Sequence, residues 1–261
     1  AGTNLEIGIG YTFASHGAEF ITCVPARTFT DLIDSLSVEE IDLELDPDNQ
    51  SLTVMTESST SNIRCAPADE FPDIPEVEEP SFTVPVVQFK EMVQRVAFAS
   101  SAVSESNLAA VQISVEDGKL IMFAVDGFHF SFEEFELEGI EQLAPFLVKG
   151  TTLETISKIL PDEGELEVEV QEKKAMFHCR DVDVVSQLMS GNFPDYKKLR
   201  DSLSPAKTTL TVGTLELLRS ARQVKVFASK TGACQLEVKG MLVRLTVIAL
   251  EKGDSDVTFT A

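Results

Sequence analysis

Four apolar stripes of helical spacing, recurring at nearly constant intervals, constrain this 261-residue chain more than any other feature. Phe29, Leu32, Ile33 and Leu36 fall at i, i+3, i+4 and i+7, as do Phe89, Met92, Val93 and Val96. Looser versions follow at Leu153, Ile156, Ile159 and Leu160 and at Leu217, Leu218, Ala221 and Val224. The first residues of the stripes lie 60, 64 and 64 positions apart. Each stripe predicts a helix that buries one face. Each follows a short extended segment: Glu19–Cys23, Phe82–Pro85, Phe146–Val148 and Leu210–Gly213. Each precedes alternating apolar positions, such as Leu43/Leu45 with Leu52/Val54 or Leu166/Val168/Val170 with Ala175/Phe177/Cys179, which predict antiparallel strands.

Alternate copies resemble each other best. Phe193-Pro194-Asp195 repeats Phe71-Pro72-Asp73 at a distance of 122 positions, and a bend at Thr3-Asn4 matches Val125-Asp126. Two units therefore pair into one domain of α+β class, with helices packed on one face of antiparallel sheets. Turn chemistry marks the strand ends: Pro47-Asp48-Asn49-Gln50, Asp117-Gly118 as a two-residue hairpin, Asp126-Gly127 as a second sharp bend, and Gln171–Lys174. Residues 1–15, with alternation through Leu5-Glu6-Ile7-Gly8-Ile9, read as the end of a further unit. A Pro- and Glu-rich connector covers residues 73–80.

Charge narrows the function classes. The net charge of −22 opposes a surface coated in phosphate-binding cations. It is unevenly spread, however. The helix-containing segments 24–36, 84–101, 148–160 and 212–226 hold eight basic and five acidic residues, net +3, which leaves −25 for the remainder. A helix-lined surface could thus meet a polyanion that the rest of the chain repels. Cys23, Cys65, Cys179 and Cys234 form no C-x-x-C pair and read as reduced cytosolic thiols. His178 and Cys179 are neighbours on a strand and point to opposite faces, so they form no ligand pair. No apolar run approaches the ~20 residues that span a bilayer, and the first residues carry no export signal, so no membrane partner and a cytoplasmic location are expected.

Six motifs in order carry a family resemblance: Gly2-Thr3-Asn4-Leu5-Glu6, Val24-Pro25-Ala26-Arg27, Ala66 to Pro72, Glu116 to Leu120, Asp126-Gly127, and Gly191 to Tyr196. With them the chain resembles the bacterial DNA polymerase III beta sliding clamps. These are non-catalytic processivity factors that encircle duplex DNA as head-to-tail dimeric rings. The resemblance implies a clamp fold with helices toward the ring interior and sheets outside. It divides the chain into the second half of domain one (1–80), a complete domain two (81–204) and the first half of domain three (205–261), truncated at both ends. It implies no cofactor and no metal. The partners it implies are double-stranded DNA without sequence preference, polymerase and clamp-loader subunits bound through short peptide motifs, and a second copy when the protein is full length.

Site residues follow from the same resemblance. The partner-peptide pocket, between domains two and three in the family, corresponds to Leu108, Val125, Gly127, Phe128, His129, Phe130, Pro194, Lys198 and Leu199. Phe128-His129 stands where the family often has His or Tyr followed by Arg. The DNA-facing set is Arg27, at a matching position, with the helical or helix-flanking Lys90, Arg95, Lys149, Lys158, Arg219 and Arg222. Ring closure maps to the strand around Ile63 and to Lys225, Val226 and Phe227, where Lys225 replaces an expected apolar residue. Two rival classes remain. An enzyme would use Asp73, Asp126 and Asp195, but two of these sit in repeated turns and no nucleophile or phosphate loop accompanies them. An interaction scaffold that never meets DNA would suit the acidity.

Overall fold

A computed structural model of the protein describes residues 1–4, 6–72, 74–103, 106–228, 232–249 and 251–261, apart from the side chain of Glu70. Leu5 of the first strand motif and Asp73 of the candidate carboxylates lie outside the described residues. The chain forms two compact units, 1–199 and 200–261.

The hairpin β1 (Gly2–Thr3) and β2 (Ile7–Tyr11) opens the first unit. The first repeat contributes helix α1 (Ala26–Ser35) and the meander β3 (Asp42–Asp46), β4 (Ser51–Met55) and β5 (Thr60–Arg64). The second supplies strand β6 (Phe82–Pro85), helix α2 (Val86–Val96) and the meander β7 (Ala110–Glu116), β8 (Lys119–Val125) and β9 (Phe130–Glu136). The third runs through β10 (Gln142–Lys149), α3 (Gly150–Ile159), β11 (Glu165–Val170), β12 (Lys174–Cys179) and β13 (Val182–Gln187). A short helix α4 (Tyr196–Ser202) comes next. The fourth repeat, in the second unit, comprises α5 (Thr214–Lys225), β14 (Gln235–Lys239), β15 (Leu242–Ala249) and β16 (Gly253–Thr260). All strand pairs within these sheets are antiparallel.

The second and third repeats complete each other by exchanging their leading strands. β6 joins the third repeat's meander beside β11, and β10 joins the second repeat's meander beside β7. The β1–β2 hairpin extends the first of these sheets to the order β1-β2-β13-β12-β11-β6, and the second reads β10-β7-β8-β9. Helices α2 and α3 pack on one another between them. The stripe residues Phe89, Met92, Val93 and Val96 of α2 and Leu153 and Ile156 of α3 are buried in one core with Ile113, Leu120, Leu166, Val168 and Phe177. Burial of each such side chain contributes about 1.5–3 kcal/mol, so a stripe of this kind suffices to dock a helix.

The outer repeats depart from the sequence reading. Glu19–Cys23 forms no strand beyond a single bridge of Cys23 to Ala66, and Leu210–Gly213 forms none. Both have strand-like composition, but an extended segment becomes a strand only where another strand accepts its hydrogen bonds. The sheets β3-β4-β5 and β14-β15-β16 contain no strand from another repeat.

Turn expectations hold. Asp117 (φ +50°) and Gly118 (φ +72°) take the two left-handed positions of a tight hairpin, which Gly tolerates without strain. Asp46 accepts bonds from the Asp48 and Asn49 amides in the Pro47–Gln50 turn. The four cysteines are free, with Cys179 buried and His178 on the other face, bonded to Asp183 at 2.7 Å.

Candidate functional site

Strand β8 is buried on both faces. Leu120, Met122 and Ala124 point into the core between the sheets, while Ile121, Phe123 and Val125 face the other way. This second face would strand apolar surface in water if nothing covered it. It is covered by an aromatic cluster centred on Phe123, which leaves Ile121, Phe123 and Val125 buried. The Phe123 ring centroid lies 6.3 Å from that of Phe130, 5.7 Å from Phe193 and 6.0 Å from Tyr196, and Phe132 lies 6.1 Å from Tyr196. Leu108 and Leu199 pack half-buried against the same cluster.

Three loops bring this cover into place. Leu108 sits in a helical turn whose start is capped by Ser106, the side chain accepting from the Leu108 amide at 3.1 Å. The 188–195 loop is pinned by Leu188 donating to the Lys173 carbonyl and Met189 to the Leu147 carbonyl. Gly191, at φ +135°, passes so close to Asn107 that a Cβ would collide with its side-chain amide. Asp195 then caps α4, accepting from the Lys197 amide at 2.9 Å and, less closely, from the Lys198 amide at 3.4 Å. These bonds, the Lys198 amide foremost, hold the Asp195 carboxyl below the usual range.

The rim is built by the β8–β9 bend. Asp126 accepts from the Phe128 and His129 amides at 2.8 and 2.7 Å, and its second oxygen meets His129 Nδ1 at 3.0 Å. The His129 amide, the His129 ring and the Phe128 amide, in that order, lower its pKa to about 2. Gly127 supplies the left-handed residue (φ +93°). The bend therefore leaves Phe128 93% exposed, a large apolar side chain held out in solvent. Across from α4, Glu116 receives both the Lys197 ammonium and the Tyr196 hydroxyl, the latter at 3.4 Å.

The structure thus brings the nine expected pocket positions onto one face of the first unit as three kinds of residue. Leu108, Val125, Phe130 and Leu199 form apolar lining, Phe128 and His129 stand at the exposed rim on Gly127, and Pro194 and Lys198 flank the α4 cap. Sequence reasoning misses Phe123, Phe132, Phe193 and Tyr196. The unbroken apolar run Leu120–Val125 is the signal that could have found the first, since a strand buried on one face alternates and this one does not. It also misses helix α4, although Asp195 directly before it is a favoured N-cap.

The expected DNA-facing cations fall into two groups. Lys90 pairs with Asp162 at 2.9 Å, Lys149 with Glu6 at 2.9 Å, and Arg95 with Glu91 and Glu133 at 3.1 and 3.5 Å. Arg27, Lys158, Arg219 and Arg222 are exposed, Arg27 with only a loose 3.7 Å contact to Asp31. Of the ring-closure positions, Ile63 is 5% exposed and packed within its own repeat, so a partner at β5 would meet the strand edge and not this side chain. Lys225 and Val226 are exposed at the end of α5, and Phe227 is half-buried. Among the described residues no three or more His, Cys, Asp or Glu cluster as metal ligands, and no helix is long and apolar enough to cross a membrane. Asp126 and Asp195 are both engaged by backbone amides of their own turns.

Residues 83–195 match the family model for the central domain of the DNA polymerase III beta subunit. Among curated proteins the chain is 28% identical over 208 residues to the beta sliding clamp of Bacillus subtilis, covering 78% of this chain and 54% of that one. It is 26% identical over 237 residues to the beta sliding clamp of Halalkalibacterium halodurans, covering 87% and 62%. The chain thus spans a little over half the length of these relatives. Among solved structures, the Bacillus subtilis sliding clamp superposes with a TM-score of 0.84 at 22% identity, over 100% of this chain and 72% of that one. The beta subunit of Thermotoga maritima superposes with a TM-score of 0.79 at 25% identity, over 99% and 71%. Residues 83–195 thus match the central domain of the DNA polymerase III beta subunit, and the chain as a whole is similar in sequence to the bacterial beta sliding clamps and shares their fold.

Proposed function

We propose that this chain acts as a non-catalytic processivity clamp: it is held on duplex DNA without sequence preference and tethers a replicative polymerase and its loader through short peptides, in the cytoplasm. The observation that carries the tethering role is the apolar patch laid over the second face of β8, floored by the half-buried Leu108, Phe130, Phe193 and Leu199 and rimmed by the exposed Phe128. An apolar floor with an exposed aromatic edge suits a peptide bearing aliphatic and aromatic anchors, because desolvated apolar side chains in a cleft carry most of the binding energy. The domain arrangement that the resemblance implies, residues 1–80, 81–204 and 205–261, belongs to this proposal.

The DNA role rests on Arg27, Lys158, Arg219 and Arg222, whose exposure leaves them free to meet phosphates. Lys90, Arg95 and Lys149 contribute less, since their carboxylate partners compete with phosphate. Contacts of this kind confer sequence-independent, salt-sensitive affinity.

The test is titration of a fluorescent polymerase-tail peptide against the protein and its Phe128→Ala variant. Saturable binding that weakens by roughly tenfold in the variant, a loss of about 1.4 kcal/mol, is expected for a central aromatic anchor. Equal binding by both would remove Phe128 from the site, and no binding by folded protein would remove the site itself.

A further inference from the structure

His129 stands on the rim of the apolar patch, next to Phe128, with its side chain 71% exposed. Its ring is held in one sense. Nδ1 meets one oxygen of Asp126 at 3.0 Å, while the other oxygen accepts from the Phe128 and His129 amides at 2.8 and 2.7 Å. The His129 amide, the His129 ring and the Phe128 amide keep the Asp126 carboxyl at about 2, so near neutral pH it can only accept. Nδ1 therefore carries the shared proton in the neutral ring as in the charged one. Any change of protonation falls on Nε2, the nitrogen that Asp126 does not hold. Nε2 is a bare acceptor in a neutral imidazole and an N–H donor in an imidazolium, and histidine is the side chain that crosses between the two within about pH 5–8. Among the described residues Asp126 is the one charged group bonded to His129. The other charges around the patch are closed pairs: Glu116 with Lys197 and Asp195 with Lys198 at α4, and Glu133 of β9 with Arg95 of α2.

We propose that His129 decides which peptides the patch accepts, a role that rests on the tethering function above. With the ring neutral, the patch takes a peptide that offers a hydrogen-bond donor beside its aromatic anchor; with the ring protonated, it takes one that offers a carboxylate there. Two effects act in the same direction. In the neutral state the Asp126 carboxylate leaves this part of the rim negative, which repels a peptide carboxylate, and the Nε2 lone pair has nothing to accept from it. In the protonated state the imidazolium cancels the charge of Asp126 and presents Nε2–H outward, a charge-assisted donor for that carboxylate. Phe128 and the apolar floor supply affinity in both states. His129 adds selectivity, and it makes that selectivity depend on pH.

Titration of the 261-residue chain with two fluorescent peptides tests this. Both carry the same aliphatic and aromatic anchors, and the residues flanking the aromatic anchor are Asp in one and Asn in the other. A free Asp titrates near ~3.9, so the Asp peptide keeps its charge at both about pH 5.5 and about pH 8, and a change in its relative binding reports on the protein. From the higher to the lower pH, the ratio of the Asn peptide's dissociation constant to the Asp peptide's is expected to rise about threefold, the scale of an exposed ion pair. His129→Gln keeps a donor for Asp126 but has no second protonation state, and its ratio should be the same at both pH values. His129→Arg, charged throughout, should hold the raised ratio at both. A parent ratio that ignores pH overturns the proposal, as does a rise that persists in His129→Gln. Binding of neither peptide at either pH sinks the tethering function and this role with it, whereas binding of both with a flat ratio sinks only the role of His129.

Discussion

At Phe128 the local chemistry works against the hydrophobic effect. Asp126 takes up both amides of the bend and the His129 ring, so the turn is satisfied without help from Phe128, whose ring is left in water. Because the ring buries little, Phe128→Ala is expected to leave the melting temperature within about 1 °C while weakening the peptide, a separation that a core residue would not give. The carboxyl of Asp126 gives a second prediction. Its pKa of about 2 lies below the ~3.9 of an unfolded Asp, so its stabilising contribution is complete above the unfolded value and is lost as the pH falls through 2. An NMR titration of its carboxyl carbon should have its midpoint near 2, moving toward the ordinary value in His129→Ala. Much of this was legible from the residues: Asp-Gly marks a bend, and a bend between strands exposes the side chain beyond it. The aromatic floor was not, because alternation assigns each strand one buried face, whereas β8 has two.

Among the elements, equal sequence patterns have unequal fates. The stripes of α1 and α2 match position for position, yet Phe89, Met92, Val93 and Val96 are buried and Phe29, Leu32, Ile33 and Leu36 are not. Periodicity fixes that a face is apolar; whether it is covered depends on a second layer that no local pattern encodes. Phe89→Ala is therefore expected to cost about 3–5 kcal/mol and Leu32→Ala less than about 1 kcal/mol in chemical denaturation of the chain at dilution. The strand exchange was hidden for the same reason, since β6 and β10 look like the leading segments 19–23 and 210–213 until their acceptors are known. Helix α4 depends on a charge as well as on packing. The bond from Glu116, followed by the charge of Tyr196 and that of Glu116, raises the pKa of Lys197, whose ammonium also lies 5.7 Å from the Tyr196 ring centroid. A raised lysine value means that the stabilisation is present at neutral pH and lost only as the pH rises through it. Glu116→Gln should speed exchange of the α4 amides several-fold at pH 7 while leaving β8 protected.

The two compact units are unequal partners in stability. Residues 1–199 enclose the large core shared by α2, α3 and two sheets, whereas among the described residues of 200–261 the apolar core is Val224, Ala228, Val243, Leu245, Val247 and Phe259, with half-buried neighbours. Buried area grows faster than chain length, so a unit of about 60 residues is marginal where one of about 200 is not. Calorimetry of the dilute chain should accordingly resolve two transitions. The smaller and earlier one belongs to 200–261 and is recognised by β15 amides losing protection before those of β8 and β12. A single transition, with β8 and β15 opening together, would mean that the small unit borrows its stability from the large one.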